Sequence, residues 1–351
     1  MLEKNWDILS CISYLMISKN RFVDGLVERS NFMKKKFKYC VSIVVLFLAL
    51  FSITVTDSNA SEKAPSTGEN DNTMNMTIGE IENRLLGYLH STGRDYSVGS
   101  EELSSYLLNQ LLSENDENLK TVDQYDNILA YAAEYIYRES LPSINGKQQD
   151  ITTVTSWTLN DIRDEVRTME EEATSQPMAR AASRSFTYDR VKAVNYALKY
   201  AKSYNKSYVS FSGSGGDCTN FASQVLRAGG AKDGKTGYPT NYDWSYSQTS
   251  TGAKASVAWI NANTFRLYWQ MNAKSVTKHT TNGGVSKKAV KGDILSYVLK
   301  KTGRSWHSAI VTGKTGNVLY VSQHSSDRKN DNWDKIGISF KENDVYVIKP
   351  G

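Results

Sequence analysis

The chain has 351 residues, 40% hydrophobic and 23% charged, with 5 prolines, 3 cysteines and a formal charge of +5. That length fits one large domain or two ordinary ones, and the composition excludes collagen, a disulfide-dense miniprotein and a wholly disordered chain. One apolar run approaches spanning length, which excludes a polytopic membrane protein.

Charge and cysteines are unevenly placed. Residues 61–183 hold 9 Lys+Arg against 22 Asp+Glu, and residues 184–351 hold 25 against 10. Cys11 and Cys40 lie in the first 60 residues, and only Cys218 follows. Lys34, Lys35, Lys36 and Lys38 precede the uncharged apolar run 41–55, which leads to Asp57-Ser58-Asn59-Ala60. A basic head, an apolar stretch and a small-x-small exit predict a signal peptide over 33–60, cut near Ala60, and an exported or wall-associated product. An uncleaved anchor is the rival reading, but the run is short for a span. Residues 1–32 place mixed sequence ahead of that head, so Met33 reads as the true start of translation and 1–32 as a misassigned extension. The mature chain then keeps Cys218 alone. An odd thiol in an exported protein is either reactive or a buried, inert core residue.

Residues 61–77 are polar and read as a disordered leader. Ile81, Leu85, Leu86 and Leu89, then Leu103, Leu107, Leu111 and Leu112, then Ile128, Leu129, Ala132, Ala133 and Ile136 recur at helical spacing. They predict three amphipathic helices within an acidic, mostly helical region, 78–172. Within it, 151–159 is predicted as a strand and 160–172 as a helix. Residues 173–183, with Pro177 and small residues, read as a linker to a basic domain, 184–351. There, 188–203 is predicted as a helix with Val191, Val194, Ala197, Leu198 and Ala201 inward, and 254–270 as another. Strands are predicted at 294–299, 307–312, 318–322, 337–340 and 345–348. Helices followed by an antiparallel sheet make the fold class α+β.

The densest local signal is Gly215-Gly216-Asp217-Cys218-Thr219-Asn220-Phe221, closed by Gly229-Gly230. Asp217 suits an N-cap and the glycines a left-handed C-terminal cap. Cys218 becomes the first helical residue, where unpaired N–H groups and the helix dipole favour a thiolate and can hold an oxyanion. A thiol nucleophile needs a base. Four histidines fall in the mature chain. His90 reads as a surface residue and His279 as loop. His307 opens one strand, read as lying at a sheet edge, and His324 ends the next. A zinc site from Cys218, His307 and His324 matches no recognised spacing, and no cofactor or metal is called for.

The string around Cys218, together with Tyr188-Asp189-Arg190, Gly292-Asp293-Ile294-Leu295 and Trp306-His307-Ser308-Ala309-Ile310-Val311, resembles the putative amidase domain of secreted bacterial proteins. That domain is grouped with papain-like cell-wall hydrolases of the CHAP and NlpC type. The resemblance covers roughly 186–349. It implies a papain-like fold, Cys218 as nucleophile, His307 as base and His324 as third member. Gly216, Asp217 and Trp306 are the neighbours expected to line the substrate and oxyanion positions. A symmetric hairpin about Thr315 would instead put Gln323 on the side of His307, and a one-residue slip would restore His324. Gln323 is therefore held in reserve.

The predicted function is a secreted cysteine amidase or endopeptidase acting on peptidoglycan or a related wall peptide. A transglutaminase-like or deamidating acyl transferase and a non-catalytic wall-binding module are the alternatives. Tyr238, Tyr242, Trp244, Tyr246, Trp259, Tyr268 and Trp269 lie between the catalytic segments and could line a groove, though packing is the plainer role for Trp259 and Trp269. A basic exported domain suits an anionic wall polymer, and nothing asks for nucleic acid. Membrane contact is expected only through the transient signal peptide. Complementary charge suggests that the acidic region docks on the basic domain.

Overall fold

A computed structural model describes residues 72–143, 146–175, 186–212, 216–234, 243–250 and 252–351, all within a compact unit spanning Glu69–Gly351. The expected signal peptide and translation start lie outside these residues, as do most of the leader and linker.

The acidic region forms α1 (Ile78–Ser91), α2 (Glu101–Ser113), α3 (Tyr125–Glu139) and α4 (Leu159–Ser175). Capping residues fix the starts. Thr77 accepts the Glu80 N–H while the Glu80 carboxylate accepts the Thr77 N–H, and Ser100 accepts from Leu103. These reciprocal bonds satisfy donors that a helix start otherwise leaves open. Every periodic leucine and isoleucine named above is buried except Leu86, which packs at the margin of the core.

The basic half contributes α5 (Arg190–Tyr200), α6 (Cys218–Ala228), α7 (Val257–Ile260), α8 (Ala262–Asn272) and α9 (Asn282–Lys288), and a small hairpin, β1 (Tyr246–Thr249) and β2 (Gly252–Ala255). Its six-stranded sheet is built from β3 (Ser275–His279), β4 (Ile294–Leu299), β5 (Ser305–Thr315), β6 (Val318–Gln323), β7 (Arg328–Asn332) and β8 (Asn343–Lys349). The order is β3-β8-β4-β5-β6-β7, every neighbour antiparallel.

Both faces of this sheet are covered, which the period of two along its strands makes possible. Leu295, Tyr297, Ala309, Val311, Val321 and Val347 join one core cluster with the leucines and isoleucines of α1–α3. The alternating Ile294, Ile310 and Ile348 join the other, with Phe221 and Val225 of α6 and with Trp244, Trp259 and Trp269. The result is α+β in three layers, with the acidic helices on one face and α5, α6 and α8 on the other. Fully burying an aliphatic side chain stabilises by about 1.5–3 kcal/mol, so the shared cluster ties the two halves through a common core.

Ion pairs cross the same boundary. Arg304 Nε meets Glu134 at 2.8 Å and its Nη2 meets Glu165. Lys301 meets Asp126 at 2.6 Å, and Arg266 meets Glu170 at 2.7 Å.

Several expected elements differ. Residues 151–154 form a 3-10 turn instead of a strand, because Asp150 accepts the Thr152 N–H and coils the chain. The helix expected over 254–270 is broken at Asn261, whose side chain caps α8. Residues 337–340 form no strand. Val191, expected to face inward, is 69% exposed, since Ala193 and Ala197 define the buried face of α5. His279 ends β3, where a loop was expected.

Candidate active site

Cys218 is the first residue of α6, and Asp217 stands at the N-cap position without capping. Its carboxylate is turned to other donors. Oδ1 accepts from the Phe211 N–H at 2.7 Å and from Asn220 at 2.8 Å, and Oδ2 lies 2.7 Å from His324 Nδ1. The first-turn N–H groups of α6 are thus left for whatever approaches the sulfur.

The thiol is 4% exposed and lies against the Thr219 hydroxyl at 3.6 Å. Burial raises its pKa, opposed by the Thr219 hydroxyl and the Ser308 backbone N–H. His307 follows Trp306 in β5, an interior strand and not the expected sheet edge. Its ring stacks on Tyr297 across the ladder, centroids 5.4 Å apart. Burial pushes its pKa down to about 4, aided by the Arg328 charge and opposed by the Gln323 amide. At neutral pH the thiol and the imidazole are therefore both uncharged.

Both ring nitrogens of His307 are buried without a hydrogen-bond partner among the described residues, and so are Gln323 Oε1 and Arg328 Nε. Buried polar atoms are nearly always paired, and orphans on His307, Gln323 and Arg328 mark a candidate functional site.

His324, expected as the third member, is engaged elsewhere. Nδ1 faces the Asp217 carboxylate and Nε2 faces the Tyr200 carbonyl at 2.8 Å, while the ring stacks on Phe221 at 4.1 Å. Two acceptors on two ring nitrogens require the doubly protonated imidazolium. Burial works against that charge, but the Asp217 and Tyr200 bonds prevail and the pKa is raised. His324 thereby clamps the residue that precedes Cys218.

Gln323 takes the position beside His307, and the reason is a bulge. At the turn, Gly313 pairs with Tyr320 and Thr315 with Val318. Beyond Thr312 the register shifts, and Val311 pairs with Val321 and Ile310 with Ser322. Alternation from those pairs puts Gln323 on the side of Val311, Ala309 and His307, and His324 on the other.

The expected neighbours are all at the site. Gly216 adopts φ +95, and a Cβ there would lie 2.6 Å from Ser325 Oγ, the atom that accepts the Asp217 N–H at 2.9 Å. Ser325 and Ser326 are themselves left-handed, at φ 61 and 62. Replacing Gly216 with alanine should cost about 1–3 kcal/mol through strain and the displaced serine. Urea unfolding checks the figure, and an unshifted midpoint would contradict it. Trp306 is buried and donates through Nε1 to Asn343 at 2.9 Å. Among the aromatics, Trp244, Trp259 and Trp269 are core, as are Tyr246 and Tyr268; Tyr238 and Tyr242 lie outside the described residues.

Two cavities meet here. One of about 10 Å³ touches Cys218, Thr219 and Trp306, with Ile136, Tyr137 and Ser140 as its opposite wall. A cleft of about 360 Å³ beside it runs between Glu101, Ser104 and Leu108 of α2 and the loop of Ser325, Ser326 and Asp327. No group of three or more His, Cys, Asp or Glu that could hold a metal occurs among the described residues. The sequence reading places Ile136 only in a helical period and Tyr297 only in a strand, and singles out neither Arg328 nor Ser325. None sits in a motif that carries chemistry, and each reaches the site through folding alone.

Residues 187–348 match a family described as a putative amidase domain. The match points to amidase-type hydrolysis. Two curated relatives from Bacillus subtilis (strain 168) align with the chain. The uncharacterized protein YhbB is 32% identical over 169 residues, covering 48% of this chain and 49% of that protein. The uncharacterized protein YjcM is 32% identical over 186 residues, covering 49% of this chain and 41% of that protein. The chain thus spans less than half the length of each. No solved structure matches.

Proposed function

We propose that the chain is an exported thiol amidase or endopeptidase that cleaves an amide in a wall peptide, with Cys218 as nucleophile and His307 as base. The observations that support the reading are the thiol at a helix N-terminus, lining a small cavity with Trp306, and the orphaned polar atoms on His307, the next residue along β5, and on Gln323. The amidase match agrees with it. In this reading His307 takes the Cys218 proton as sulfur attacks the carbonyl, and first-turn N–H groups of α6 receive the oxyanion. His307 then protonates the leaving amine and activates water for release of the acyl group. Gln323 Oε1, unpartnered and on the side of His307, orients the ring.

Digestion of purified wall by the wild type and Cys218→Ala, with products identified by mass, tests the proposal. New free amines from the wild type and none from the variant are expected. Ammonia or crosslinks in place of amines would move the enzyme to acyl transfer, and equal products from both proteins would remove the thiol from the chemistry.

A further inference from the structure

We propose that Ile136, a residue of the acidic region, is the gate between an open substrate cleft and a closed nucleophile chamber, and that the acidic region forms one wall of the substrate site. The inference rests on Cys218 being the nucleophile, and it concerns how a substrate reaches that sulfur.

The chamber at Cys218, about 10 Å³, has room for about one water and none for an amide with its flanking chain. The cleft next to it, about 360 Å³, falls within the range of small-ligand pockets. Ile136 and Gly216 line both spaces. Gly216 has no side chain to move, so the partition that can yield is Ile136.

Its neighbours are pinned. Arg138 bonds Glu134 at 2.6 Å and both Glu165 oxygens at 2.9 Å. Tyr137 lies under the Arg304 guanidinium, 3.6 Å from the ring centroid. Asn261 Nδ2 donates to the Tyr137 carbonyl at 3.2 Å and to Ser140 Oγ at 2.7 Å, while its Oδ1 caps α8. The backbone at the end of α3 is therefore held on three sides. Opening reduces to a rotamer change of Ile136 with a small local adjustment, not departure of the helix.

The cleft also indicates what enters. Serine hydroxyls, Tyr204 and two carboxylates line it, without lysine or arginine among the described residues. That lining suits a neutral or amine-bearing peptide better than a phosphate polymer, although the half of the chain that carries the thiol is basic overall.

The test reads Cys218 directly by alkylation with iodoacetamide, located by peptide mass, in the full chain. Ile136→Ala should label about tenfold faster than the wild type, and Ile136→Phe more slowly. Leu267→Ala, in a small cluster with Ala173 that lines neither space, should label at the wild-type rate. Should Ile136→Ala fail to fold, Ile136→Val serves in the same sense and Ile136→Phe in the opposite one. Rates within twofold across all Ile136 variants, or an equal rise in Leu267→Ala, would overturn the gate. Labelling that follows residue 136 while no variant releases amines from wall would keep the gate and overturn the amidase reading instead.

Discussion

Replacing Arg304 with methionine should lower stability by about 3–5 kcal/mol, read as a fall in the urea midpoint. Arg304 and Glu134 are both fully buried, and the arginine serves Glu134 and Glu165 at once. Removing it leaves Glu134 Oε2 without its cation in a place water does not reach. Arg138 remains on Glu134 Oε1 and on Glu165, so the cluster is weakened, not abolished. Adding Glu134→Gln to Arg304→Met should recover part of the loss by removing the stranded charge. A shift below about 1 kcal/mol for Arg304→Met would show that this cluster is not the tie between the halves. The cluster also explains how a chain so divided in charge folds as one unit, since part of the acidic excess is spent on arginines of the basic half.

Acid should destabilise the protein through His307 well before general carboxylate protonation. Its folded pKa is about 4 and its ordinary value 6.5. As pH falls through 6.5 the unfolded chain takes up a proton that the folded chain refuses until about pH 4. Stability is lost across that window, by up to about 3 kcal/mol. His307→Gln should flatten the slope, and parallel curves for the two proteins between pH 4.5 and 6.5 would contradict the assignment. His324 has the opposite sign. Its raised pKa contributes stability that is present in acid and lost as pH rises through the folded value. Cys218, also raised, adds a loss at alkaline pH, where the unfolded chain gives up the thiol proton first.

The elements that could be read from sequence were those whose side chains carry a period. Ile294–Leu299 matches the predicted strand, and the leucine spacing placed α1, α2 and α3 because burial against the sheet selects those positions. β7, Arg328–Asn332, has no apolar alternation. It is an edge strand held by backbone pairing to β6, and polar edges carry no hydrophobic signal. The positions of Cys218 and His307 were legible, one at a helix start and one in an apolar strand. Which of Gln323 and His324 shares the face of His307 was not, because a face depends on register, and register on a bulge that no residue at Thr312 announces. The wall supplied by Ile136 was also out of reach, since it crosses from one half of the chain to the other.

That bulge gives the hairpin a phase. Counted from the turn in an unbroken ladder, His324 and not Gln323 would fall in step with His307; the extra residue at Thr312 delays one strand by half a pleat and exchanges them. The distal arm can therefore change length without disturbing the pair of side chains at its base, provided the half-step is made up before Ile310. Grafting this hairpin onto another scaffold would transfer the site only if the slack were carried with it.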